Sequence, residues 1–126
     1  MRAARAYGET RAQRDNVGMT QTNHESAPDR AALDASPGPV LVEFGTGWCG
    51  HCRAAQPKIA SALAGHRQVR HIQVEDGSGR PLGRSFGVKL WPTLVFLRDG
   101  QERARLVRPA REDDIRAALR LIDPPT

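Results

Sequence analysis

The sequence has few cysteines and aromatic residues and lacks any long apolar run. Its two cysteines are too few for a disulfide framework or a four-cysteine zinc site. Aromatic residues make up only 5% of the chain, and they do not alternate with basic residues as on a nucleic-acid-binding surface. No run of about 18 apolar residues is present, so we expect no transmembrane helix and no membrane partner.

Length and composition favour one compact domain. The chain has 126 residues, 39% of them hydrophobic, and a formal net charge of +5 carried by scattered basic residues, so we expect no nucleic-acid partner. Residues 1–28 lack apolar periodicity and predict a disordered tail, in which Met19 is an alternative start, followed by a domain over residues 29–126. The first 30 residues contain no apolar core typical of a secretory signal, which favours a cytoplasmic location.

Both cysteines lie in the segment Trp48-Cys49-Gly50-His51-Cys52, between a strand pattern and a helix pattern. A C-x-x-C pair in that context indicates redox chemistry. At the first turn of a helix, unpaired N–H groups and the helix dipole favour a thiolate on the leading cysteine, and the second cysteine is close enough to bond to it. We therefore predict that Cys49 is the nucleophile and Cys52 the resolving thiol.

Other uses of a C-x-x-C pair fit the sequence less well. A zinc site usually needs four ligands, and the chain has no second cysteine pair. Haem attachment needs a histidine directly after the second cysteine, where this chain has Arg53. A purely structural disulfide would gain little chain entropy from so short a loop. We expect no metal, and no cofactor beyond the redox-active Cys49–Cys52 disulfide.

The remaining patterns predict alternating strands and helices. Strands are expected at 40–45, 69–74, 93–97 and 102–107, and helices at 28–35, 49–64, 82–86 and 111–122. Pro57 should kink the second helix, and Asp99-Gly100 predicts a hairpin turn. This order implies an α/β fold in which a mixed central sheet of about four strands has helices on both faces.

Three further features resemble the thioredoxin superfamily over residues 40–122. Glu43 lies six residues before the first cysteine, Pro57 lies five residues after the second, and Trp91-Pro92-Thr93 matches the family's cis-proline segment. The resemblance implies the thioredoxin fold and a monomeric thiol-disulfide oxidoreductase. Its partners would be protein disulfide or dithiol substrates and a reductase or thiol that donates electrons.

Two departures leave the direction of electron flow open. Ordinary thioredoxins have Gly-Pro between the cysteines and Asp as the buried acid, whereas this chain has Gly50-His51 and Glu43. That combination resembles the catalytic domains of protein disulfide isomerases, which tend to be more oxidising. The alternatives to a cytoplasmic reductase are a disulfide oxidase or isomerase in an oxidising compartment, and a non-catalytic binding module whose basic surface recruits an acidic partner.

Glu43 and His51 are predicted to assist the two cysteines. His51 adds a donor, and when protonated a charge, beside Cys49, which favours the thiolate; the alternative is a side chain that simply points into water. Burial disfavours a charged carboxylate, so Glu43 can exchange a proton with Cys52. The alternative for Glu43 is an acid paired to a basic group or to water.

Substrate contacts are predicted for Trp48, Gly50, Trp91 and Pro92. A cis bond before Pro92 would present backbone groups that pair with an extended substrate segment, and the two tryptophans would form an apolar rim. For Trp48, packing over the loop is the alternative to substrate contact. His71 falls near the place where thioredoxins have a lysine beside the buried acid, but we predict that it is a surface histidine on a strand.

Overall fold

The computed structural model describes residues 20–22 and 27–125. Strands and helices alternate along this part of the chain. In order they are β1 (Thr20–Thr22), α1 (Arg30–Asp34), β2 (Pro39–Gly45), α2 (Gly50–Leu63), β3 (Arg70–Glu75), α3 (Pro81–Ser85), β4 (Thr93–Arg98), β5 (Gln101–Val107) and α4 (Glu112–Ile122). No helix within the described ranges is long and apolar enough to cross a membrane.

The strands form one mixed sheet in the order β1-β3-β2-β4-β5. β3 runs parallel to both β1 and β2, whereas β4 runs antiparallel to β2 and β5. β2 is therefore central, with hydrogen-bonded neighbours on both sides. The predicted α/β class is confirmed, and β2, β3, β4 and β5 correspond to the four predicted strands.

Side chains of β2 alternate between two apolar cores on opposite faces of the sheet. Val42 and Phe44 pack on the face that carries α1 and α3, with Leu33 and Phe86. Leu41 packs on the face that carries α2 and α4. Glu43 has the same parity as Leu41, so the strand directs this acid toward α2, the helix that begins at the cysteines.

Local sequence explains the bounds of the two long helices. Cys49 is the N-cap of α2, and its sulfur accepts a hydrogen bond from the Cys52 N–H at 3.2 Å. Pro57 lies inside α2, as predicted. α4 has three acidic residues in its first turn, which favours the positive end of the helix dipole. Its buried residues recur at helical spacing: Ile115, Ala118, Leu119 and Ile122.

β1 is a strand that the sequence patterns did not predict. Thr20–Thr22 pairs in register with Ile72, Gln73 and Val74 of β3, within the segment expected to be a disordered tail. Three polar residues carry no apolar alternation, so only backbone pairing to a sheet edge defines this strand. The rest of the predicted tail up to residue 26, including Met19, lies outside the described residues.

Candidate functional site

The two cysteines occupy the junction between β2 and α2, beside the loop that precedes β4. Cys49 is 7% exposed and Cys52 is fully buried, and the two are not joined by a disulfide. The Cys49 sulfur lies 3.9 Å from the Trp91 carbonyl oxygen, so the nucleophile candidate and the segment before Pro92 are in contact. The sequence-predicted pair is therefore assembled with one sulfur near the surface and one beneath it.

The two thiols differ in how readily they ionise. Burial raises the pKa of Cys52 far above its ordinary value, and the hydrogen bond to Cys49 raises it further. A hydrogen bond with the Thr46 backbone lowers the pKa of Cys52, but by less than burial raises it. Cys52 is therefore a thiol at neutral pH, and it needs a proton acceptor before it can attack. The asymmetry favours Cys49 as the first sulfur to react.

Glu43 is fully buried and belongs to a polar network beneath the cysteines. One carboxylate oxygen lies 2.6 Å from Nε2 of His71, and the other accepts a hydrogen bond from Nε2 of Gln56 at 2.5 Å. The same Gln56 amide group lies 3.2 Å from the Cys52 carbonyl oxygen. The acid is thus paired to a basic group, the alternative considered above, while its predicted proton exchange with Cys52 stays a prediction.

His71 is not the surface histidine that the sequence suggested. His71 is only 8% exposed, and its imidazole ring contacts Glu43. The prediction was wrong because the alternation in β3 was interpreted as that of a half-exposed strand, whereas residues 71–74 are all buried and both faces of β3 are therefore covered. His71 pairs with Leu41 in the β2–β3 register, two residues from the position of Glu43, which brings its ring to the acid.

Sequence reasoning also missed Gln56 and Gln73, which connect to this network. Gln73 lies directly opposite Glu43 in the parallel register, and its Nε2 donates to Oε1 of Gln56 at 3.3 Å. Two signals could have revealed them. Gln56 follows Cys52 by four residues and so lies on the same helix face, and Gln73 follows His71 by two and so shares its face of the strand.

Trp91 and Trp48 form the rim of the site. The Trp91–Pro92 peptide bond is cis. The two indole rings meet edge to face, with centroids 5.7 Å apart, and Nε1 of Trp91 donates to a carboxylate oxygen of Asp76 at 2.8 Å. Trp48 nevertheless remains 71% exposed, so its ring both packs on Trp91 and presents an apolar surface to solvent. Substrate contact by Trp48, Gly50, Trp91 and Pro92 stays a prediction.

Arg108 is a neighbour of the site that the sequence patterns did not reveal. Its Nε donates to the Trp91 carbonyl at 2.9 Å, and its backbone N–H donates to the Pro92 carbonyl at 2.9 Å. Its φ of 49° lies in the left-handed region, which side chains other than glycine adopt at a cost. Only the pairing of Thr93 with Val107 brings this residue to the site, so no local motif marks it.

His51 and Gly50 are exposed on the first turn of α2. His51 lines a cavity of about 210 Å³ together with Lys58 and Arg108. The exposure of its ring is compatible with both predicted alternatives, the thiolate-stabilising donor and the solvated side chain. Within the described ranges, no group of three or more His, Cys, Asp or Glu residues could hold a metal ion.

Comparisons with known proteins agree with this geometry. The thioredoxin family model matches residues 15–121. The chain is similar to a thioredoxin from Aspergillus fumigatus, 39% identical over 66 residues that cover 52% of this chain and 61% of the relative. It is also similar to protein disulfide-isomerase A2 from Pongo abelii, 46% identical over 65 residues, 48% of this chain and 12% of the relative.

Solved structures give a longer match. The reduced form of thioredoxin 2 from Pseudomonas aeruginosa PAO1 superposes with a TM-score of 0.68 and is 58% identical, with coverage of 75% of this chain and 87% of that one. The two curated relatives, by contrast, are matched over only 61% and 12% of their own lengths.

Proposed function

The chain belongs to the thioredoxin family, and from this premise we propose that it is a thiol-disulfide oxidoreductase that reduces protein disulfides through Cys49 and Cys52. The observation that carries the proposal is the asymmetry of the pair. Cys49 caps α2 near the surface, whereas Cys52 lies fully buried with its pKa raised. The more exposed Cys49 sulfur can therefore react with the substrate first, and the buried Cys52 sulfur reacts second.

The reaction proceeds in two exchanges. The Cys49 thiolate attacks one sulfur of the substrate disulfide, that S–S bond breaks, and the departing sulfur leaves as a thiolate that takes up a proton. Cys52 then loses its proton and attacks the Cys49 sulfur, which releases the second substrate thiol and leaves the Cys49–Cys52 disulfide. The substrate gains two electrons and two protons, and a reductase or thiol donor restores the dithiol.

Glu43 and His71 supply the proton acceptor that the second exchange requires. Glu43 is fully buried, and Gln56 links it to the Cys52 backbone. We propose that the Glu43–His71 pair accepts the proton that Cys52 releases. A hydrogen-bonded carboxylate and imidazole can share a proton, so no isolated charge is created in the interior. His51 favours the Cys49 thiolate when it is protonated.

The test is catalysis of insulin reduction by dithiothreitol. The wild-type protein should accelerate the reaction, Cys49→Ser should abolish the acceleration, and Glu43→Gln should slow turnover while leaving the first alkylation of Cys49 unchanged. A Cys49→Ser variant that kept full activity would instead favour the non-catalytic binding module, since the fold would then act without its nucleophile.

A second candidate, oxidation or isomerisation of disulfides, is favoured by one specific feature. Gly50-His51 separates the cysteines, and the chain is 46% identical over 65 residues to a protein disulfide isomerase. Equilibration of the Cys49–Cys52 pair with glutathione distinguishes the two, because a difference of about 30 mV changes the equilibrium constant about tenfold. His51→Pro should make the pair more reducing; an unchanged constant would remove His51 from the assignment.

We place the reductase in the cytoplasm and propose that a single chain is the active unit. A lone C-x-x-C pair is more useful as a redox centre than as a structural bond in a reducing compartment. Size-exclusion chromatography with light scattering tests the monomer, and fractionation of cells tests the location.

A further inference from the structure

We propose that the cavity lined by His51, Lys58 and Arg108 is a binding subsite for an acidic side chain of the substrate protein, so that disulfides flanked by Glu or Asp are preferred. The inference rests on the proposed reductase function and adds a substrate class to it. The cavity, of about 210 Å³, is formed between α2 and the loop that joins β5 to α4.

The cavity is lined by basic side chains and by small apolar side chains. His51 and Lys58 lie seven residues apart on α2, so they occupy one face of the helix. Arg108 faces them from the loop, and the floor consists of alanines and one proline, with no carboxylate among the lining residues. A pocket with two cationic side chains, an imidazole donor and short apolar side chains fits a carboxylate on a short stem.

Arg108 connects the cavity to the reacting sulfur. Its Nε donates to the Trp91 carbonyl at 2.9 Å, and the Cys49 sulfur lies 3.9 Å from that same oxygen. An acidic side chain held by Arg108 would therefore belong to a residue close in sequence to the attacked cysteine. The subsite is within reach of one or two residues on either side of the substrate disulfide.

The backbone of Arg108 supports a functional reason for this residue. A non-glycine residue at φ 49° is in a conformation that costs free energy, a cost that a glycine would avoid. The chain keeps a long cationic side chain in a conformation that favours the residue without a side chain. The bond to the Trp91 carbonyl and the attraction of an anionic substrate both need the arginine side chain, whereas the bond to the Pro92 carbonyl needs only its backbone N–H.

The experiment compares three disulfides reacting with the full-length reduced protein. Two peptides have one disulfide each and are identical except that one carries Glu, and the other Gln, within two residues of each cysteine. Hydroxyethyl disulfide, which is small and neutral, reports intrinsic reactivity. We expect the Glu peptide to react about threefold to tenfold faster than the Gln peptide at low salt. This ratio should approach one at about 1 M salt, where screening acts over roughly 3 Å.

Matched variants locate the effect. Lys58→Gln and Arg108→Gly should each lower the Glu-to-Gln rate ratio by about half or more, and the glycine variant also relieves the left-handed φ. Lys89→Gln is the control: it removes the same charge from an exposed position that lines a different cavity, beside Asp76 and Trp91, and it should leave the ratio unchanged.

Each other outcome overturns a specific part of the reasoning. Equal rates for the two peptides, with both reduced, would refute the subsite and leave the reductase function standing. A ratio that Lys89→Gln lowers as much as Lys58→Gln would replace the subsite by a general field of the basic protein. If wild-type protein reduced none of the three disulfides, the proposed function itself would fail, and the subsite with it.

Discussion

Loss of either partner of the buried Glu43–His71 pair should destabilise the protein, and loss of both should cost less than the sum of the two single losses. Glu43 is fully buried, and its oxygen lies 2.6 Å from Nε2 of His71. His71→Leu replaces this partner by an apolar side chain of similar size, while the hydrogen bond from Gln56 remains. A buried polar group that loses its hydrogen-bond partner costs up to about 3 kcal/mol. For a chain of this length, that loss lowers Tm by on the order of 10 °C.

The assay is a double-mutant cycle in urea with His71→Leu, Glu43→Leu and both together, in reducing buffer. We expect the double variant to be less destabilised than the sum of the single variants by about 2 kcal/mol, because neither Glu43 nor His71 is then left buried without the other. The control cycle uses His66 and Asp123, which also form a His–carboxylate pair, at 2.8 Å, but whose side chains are 14% and 21% exposed. Solvent should reduce the coupling energy there.

Additive costs within about 0.5 kcal/mol in the Glu43–His71 cycle would refute the reasoning, since they would mean that neither residue suffers from loss of the other. A coupling energy no larger than that of His66 and Asp123 would show that burial does not strengthen the pair.

Two further predictions concern Cys52 and a turn glycine. Folding raises the pKa of Cys52 from 9.0, so the contribution of this thiol to stability is complete below pH 9.0 and is lost above it. Above pH 9.0, the free energy of unfolding of the reduced protein should fall by about 1.4 kcal/mol per pH unit relative to that of Cys52→Ala. Urea midpoints of the two proteins that change in parallel from about pH 8 to 10 would contradict this. Gly100→Ala should cost more than about 2 kcal/mol of stability, because φ is +80° and the added Cβ would clash with the backbone of Asp34. The control is Gly38→Ala, which has a similar φ of +77° but open space around the Cβ, and it should cost about 1 kcal/mol. Equal costs in thermal unfolding would exclude the clash with Asp34.

The elements that build the fold could be predicted because each carries its own local pattern. The apolar run of β2, the C-x-x-C pair at a helix start and the Asp99-Gly100 turn, whose two residues both have positive φ, are local signals. Glu43 was identified as a buried acid for the same reason, since a single carboxylate interrupts an apolar strand.

The partners of these residues could not be predicted, because they depend on register between distant segments. His71 reaches Glu43 only through the parallel pairing of β2 with β3, and Arg108 reaches Trp91 only through the pairing of β4 with β5. Polar residues in β3 suggested exposure, but residues 71–74 are all buried, so both faces of this strand are covered. β1 has no apolar pattern and is defined by backbone pairing alone.

The most direct test of the account is to trap the mixed disulfide. Cys52→Ser protein, mixed with a disulfide-containing peptide at neutral pH, should accumulate a covalent adduct whose mass and peptide map place the bond on Cys49, because the resolving thiol is gone. Cys49→Ser protein should form no adduct under the same conditions, since the remaining thiol is fully buried and its pKa is raised. An adduct on Cys52 formed as fast as that on Cys49 would contradict the assignment of nucleophile and resolving thiol.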